Sequence, residues 1–212
     1  MEMEMAATID GALFKEIMAE MREHSLKRLT SPHAVAESEE ENHLGDYIPS
    51  QRLHEDYSRL RSVPLPVSND DELDDAIQQI KAIGNSGATK TANNSQTGIK
   101  VATNAFKSDQ NASEFENKMG STRGSAHSDL ADAINATYDK AVELAQNLSP
   151  SQANAICSLM ENNLGPAFNE IWDQISSFIV DAVRNVGKFT QEAPSNIDDF
   201  FAGIAYSIKE NF

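Results

Sequence analysis

Between residues 125 and 208, large apolar residues recur every three or four positions in four successive runs. That spacing is the signature of helices that bury one face, and no segment shows the alternation of a strand. The first run, 125–148, carries Leu130, Ile134, Tyr138, Ala141, Ala145 and Leu148. Ser149-Pro150-Ser151-Gln152 then reads as a capping box with proline at the first helical position. The second run carries Ala153, Ile156, Leu159, Met160 and Leu164 and stops at Gly165-Pro166. The third carries Phe168, Ile171, Trp172, Ile175, Phe178, Ile179, Ala182 and Val183, wider than a single stripe and so the most buried, and Gly187 ends it. The fourth restarts at Pro194 with Ile197, Phe200, Phe201, Ile204 and Ile208. The expected fold is all-α, with a small C-terminal bundle of about four helices over 125–212. Its expected core is Leu130, Ile134, Tyr138, Ile156, Leu159, Phe168, Ile171, Trp172, Ile175, Ile179, Phe200 and Ile204.

Upstream the pattern thins. Residues 9–29 place Leu13, Phe14, Ile17, Met18 and Met21 on one helix face, with Lys27 and Arg28 in the last turn, where they complement the helix dipole. Residues 1–29 are therefore expected to form an amphipathic recognition helix. Residues 30–124 read as an acidic, polar, flexible region with short helices near 50–61 and 69–83. Within it, Gly, Ser, Thr, Asn and Gln fill 17 of the 28 positions of 84–111, and Ile99, Val101 and Phe106 are the large apolar residues. So little apolar area does not offset the entropy of ordering a chain, which makes this stretch a linker by composition.

Charge follows the same division. Of the net −16, residues 121–212 carry 12 acids and 5 bases, a net of −7, leaving −9 for residues 1–120. Strong negative charge argues against direct binding to nucleic acid or to anionic lipid. No run approaches ~18 uncharged apolar residues, so no membrane span is expected. The start Met1-Glu2-Met3-Glu4-Met5 lacks the basic region of a secretory signal, which points to a cytoplasmic protein.

The motifs give no catalytic constellation. Gly84-Asn85-Ser86-Gly87-Ala88-Thr89-Lys90-Thr91 approaches a phosphate-binding loop, but Thr89 stands where the second glycine is needed and no buried strand precedes it. The single cysteine, Cys157, sits among apolar residues as a small hydrophobe and excludes a disulfide framework. No two of His24, His33, His43, His54 and His127 share metal-ligand spacing on a helix, so neither metal nor cofactor is expected. Ser31, Ser38 and Ser68 stand in acidic or proline contexts as candidate phosphorylation sites.

These readings point to a non-enzymatic adaptor. The N-terminal helix would enter a partner's groove through Leu13, Phe14, Ile17, Met18 and Met21, and the C-terminal bundle would bind a second protein. Partners with basic or apolar-groove surfaces fit best. In layout alone the chain resembles viral polymerase-cofactor phosphoproteins that chaperone a nucleoprotein. No motif of that family is matched, so no residue roles carry over. The alternative is a scaffolding or secretion-associated helical protein that self-associates as a homo-oligomer. An acidic inhibitor that mimics nucleic acid ranks below both.

Overall fold

The computed structural model describes residues 11–30, 47–66, 70–145 and 148–212. Among these the protein is all-α, with no strand. The helices are α1 (Gly11–Thr30), α2 (His54–Ser62), α3 (Asp71–Asp109), α4 (Ala112–Ala145), α5 (Pro150–Leu159), α6 (Gly165–Arg184) and α7 (Val186–Asn211), with a π-helical turn, Met160–Leu164, joining α5 to α6.

The framework is the hairpin of α3 and α4. Their 39 and 34 residues make rods of about 58 and 51 Å at 1.5 Å per residue. Asp70 caps α3, its Oδ1 accepting from the Leu73 amide at 3.1 Å, and the acids Asp71, Glu72 and Asp74 follow in the first turn. At the far end Gln110 takes the left-handed conformation (φ 53°), and Asn111 Oδ1 accepts from the Glu114 amide at 3.1 Å to start α4. Two residues thus reverse the chain.

The expected linker is the C-terminal two-thirds of α3, and the reading from composition is corrected on this point. Small residues there replace buried area with close approach. A Cβ on Gly87 would run into the Cβ of Ala133, and one on Gly98 would lie 2.7 Å from Thr122 Cγ2. Residue 87 faces 133 and 98 faces 122, a constant antiparallel register. The buried threonine hydroxyls cost little because each is satisfied inside its own helix, whereas the buried Ser95 hydroxyl has no hydrogen-bond partner. Thr91 donates to the Gly87 carbonyl at 3.0 Å, Thr103 to Ile99 at 2.8 Å and Thr137 to Ala133 at 2.7 Å. Ile80, Ala88, Ile99 and Ala102 complete the buried face of α3, against Met119, Ala126, Leu130 and Ile134 on α4.

The other helices pack on this hairpin. Helix α6 lies antiparallel to α4, where Arg123 Nε donates to Ser176 Oγ at 2.8 Å and His127 meets the Trp172 ring edge-on at 5.4 Å. Helix α7 returns along α3. Four helices therefore form the bundle, but they are α3, α4, α6 and α7. The second and third expected helices are not separate helices. They are one rod, because the π turn carries Gly165 N–H to the Met160 carbonyl and sets Pro166 at the start of α6, where its missing N–H is harmless. Ser149 does cap α5, with Gln152 Oε1 accepting from the Ser149 amide at 2.7 Å. Helix α4 starts well before 125, and α7 begins at Val186 rather than at Pro194. Of the expected core, Leu159 and Phe200 are half-buried and the rest are buried.

Two glycine substitutions of opposite sign follow from this packing. Gly87→Leu is expected to cost about 1–3 kcal/mol by overpacking the α3–α4 seam. Gly124→Ala faces open space on α4 and is expected to add roughly 0.4–1 kcal/mol. Equilibrium urea unfolding checks both, and equal stabilities for the two variants would contradict the close seam.

Candidate interaction site

The face of α1 expected to meet a partner is spent inside this chain, which corrects its reading as a free recognition helix. Phe14, Ile17, Met18 and Met21 are buried at 3% exposure or less, and Leu13 packs half-buried beside them. Helix α1 sits on α4 and α6. Ser25 Oγ lies 3.1 Å from the Tyr138 hydroxyl, and Arg22 Nη1 donates to Asp139 Oδ1 at 2.8 Å. The groove it fills belongs to the long bundle, so its presence depends on the α4 rod.

A strap, residues 47–66, holds α1 and α5. Tyr47, Leu53, Tyr57 and Leu60 turn inward, the last two from α2. Glu20 is the pivot on α1: its Oε2 accepts from the Tyr47 hydroxyl at 2.9 Å and the Ser50 amide at 3.0 Å, and its Oε1 accepts from Ser50 Oγ at 2.6 Å. Burial alone would raise the Glu20 carboxyl. The Ser50 and Tyr47 hydrogen bonds and the Arg52 charge outweigh it and hold the pKa below the ordinary glutamate value. On the other side Arg61 reaches Asn154 Oδ1 at 2.9 Å and Ser158 Oγ, while Asn154 Nδ2 donates to the Val63 carbonyl at 2.6 Å.

Where α7 runs along α3, an open groove of about 450 Å³ remains. Asn85, Thr89, Asn93 and Gln96 line its α3 wall at helical spacing. Ala202 and Ala205, both exposed, stand on the α7 side above buried Phe201 and Ile208. Gln96 Nε2 donates to Asp198 Oδ1 at 2.8 Å, and Lys100 pairs with the same carboxylate, closing one end. Those two partners, Lys100 first, hold Asp198 below the usual carboxylate range. Tyr206, 66% exposed, stands one residue beyond Ala205. The wall was legible as a spacing of polar residues, but the sequence places its other side more than a hundred positions away.

The residues weighed for chemistry fall elsewhere. Burial pushes the Cys157 thiol well up, so it stays protonated at neutral pH. Burial, then Arg28 and Lys27, lowers the His24 pKa and keeps its ring neutral. Gly84–Thr91 is mid-helix, where backbone N–H groups are committed to the helix and are not available to cradle a phosphate. Among the described residues no three His, Cys, Asp or Glu side chains converge as metal ligands, and no helix is long and apolar enough to cross a membrane. Ser31, Ser38 and Ser68 lie outside the described residues. Comparison of the chain with protein-family models, with curated proteins and with solved structures yields no match.

The Glu20 clamp sets a pH dependence. A carboxyl whose folded pKa is depressed contributes stability that is complete above its unfolded value, here 4.5, and lost as pH falls through the folded pKa. Urea unfolding across that window is expected to show a shallower acid loss for Glu20→Gln than for the wild type. Parallel acid limbs would remove Glu20 as the pivot.

Proposed function

We propose that this chain is a non-enzymatic interaction protein, an adaptor or assembly component, that receives a helix of a protein partner in the α3–α7 groove. The groove is the observation that carries the reading. From Asn85 to Gln96 it runs about 16 Å, the length of three helical turns. Ala202 and Ala205 let an incoming backbone come close, and the amide and hydroxyl side chains of the wall fix its register. A net charge of −16 favours a basic partner and disfavours nucleic acid.

This differs from an adaptor with flexible reach. The two ends of the chain share one core, so a partner would meet a preformed surface rather than a tethered helix. The phosphoprotein-like layout keeps as its support the acidic run with candidate sites Ser31, Ser38 and Ser68.

Self-association has its own observation. A shallow depression on the hairpin, over the Gly98–Thr122 contact, is lined by Asn94, Thr97, Ser121 and Ser125, small exposed side chains open to a second copy. Sedimentation separates the two readings: a monomer favours the groove, and a dimer broken by Ser125→Arg favours the outer face.

A photo-crosslinking residue at position 205 is expected to trap the partner. Ala205→Arg should leave melting unchanged and weaken binding of that partner at least about tenfold, or roughly 1.4 kcal/mol. Unaltered binding would reject the groove, and the absence of any stoichiometric partner would reject the interaction reading itself.

A further inference from the structure

A small cavity lies beneath the π turn, where α1, α4 and α6 meet. Its volume, about 10 Å³, is room for one water. Its lining mixes polar side chains with apolar ones such as Met21 and Met160. Asn169 is 6% exposed, lines the cavity, and its Oδ1 has no protein donor. Glu161 lines it too, but its Oε2 is already paired with Arg61 Nε at 3.6 Å. A buried amide oxygen without a donor calls for a molecule that brings a hydrogen.

Donors to such a molecule are also at hand. Ser25 Oγ and the Tyr138 hydroxyl both line the cavity and lie 3.1 Å apart. One hydrogen joins them, which leaves a second hydroxyl hydrogen to give. His24 also borders the cavity. The space itself depends on Gly165. A Cβ there would come within 2.9 Å of the Met160 carbonyl oxygen and 3.4 Å of both hydroxyl oxygens. The π turn, by carrying the Gly165 N–H back to Met160, puts this glycine at the cavity wall.

We propose that this cavity is a specific hydration site for one water molecule, which donates to Asn169 Oδ1 and accepts from the Ser25–Tyr138 pair. The water joins α1 and α4 to α6, so docking of the N-terminal helix includes a solvent molecule as a structural part. This makes the polar residues of the α1 face, which an apolar groove-binding helix would not carry, intelligible as ligands.

Water-to-amide cross-relaxation on the full chain tests the site. The wild type is expected to show a long-lived water at the Gly165 amide and at the Asn169 side chain. Ser25→Ala removes the spare hydroxyl hydrogen of the Ser25–Tyr138 pair, and the water signal is expected to vanish while the rest of the spectrum holds. Asn169→Leu should abolish it as well. A signal retained in both variants, or none in the wild type, overturns the proposal. A high-resolution crystal structure of the wild type decides independently of either variant: one ordered water on Asn169 Oδ1 supports the site, and a cavity with no water there rejects it.

Discussion

Everything in this fold depends on how closely α3 and α4 approach. Two helices that meet through Gly87, Gly98, Ala133 and Thr122 bury little apolar area at those points, but they bring the two rods close together there. Packing density supplies the attraction that large side chains provide elsewhere. The threonines fit because their hydroxyls are satisfied by carbonyls one turn back, which leaves a methyl group to pack. Once the hairpin is set, α6 has a long α4 to lie along and α7 a long α3. Helix α1 then finds its groove on α4 and α6, and the strap closes over it.

The charge distribution takes on a different meaning in this arrangement. Several acids of the first half serve defined ends: Asp70 caps α3, Asp71, Glu72 and Asp74 follow at its positive end, and Glu20 clamps the strap. Asp129 is held below the usual carboxylate range by Lys90 and Asn94 across the hairpin. Exposed pairs such as Lys27–Glu23 contribute little, on the order of 0–1 kcal/mol each. The acidic character is thus partly structural and partly a bias on which partners approach.

Much of the C-terminal core was legible because large side chains at helical spacing have one use. Ile134, Ile156, Phe168, Ile175 and Ile204 are buried completely, as their stripes imply. The stretch 84–111 was not legible from composition, since counting apolar area takes no account of what glycine, alanine and threonine do in contact. A spacing test finds the face: Gly84, Ala88, Thr91, Ala92, Ser95, Ile99, Ala102 and Phe106 recur at helical intervals and are all buried. Gly165-Pro166 read as a break because a π turn leaves no mark that separates it from a helix end. The destination of α1 was hidden for another reason: a stripe of Phe14, Ile17, Met18 and Met21 fits a partner's groove or its own equally well. The α3–α7 groove and the cavity at Asn169 join residues far apart in sequence, which no local pattern reveals.

Native-state amide exchange across residues 84–109 tests the account most directly. The hairpin requires Ala88, Thr91, Ser95, Ile99 and Ala102 to be protected as strongly as Ile175 and Ile179 in α6, because all belong to one cooperative core. Exchange at those α3 amides at the rate of an open chain, with α6 still protected, would contradict it and return the stretch to a linker.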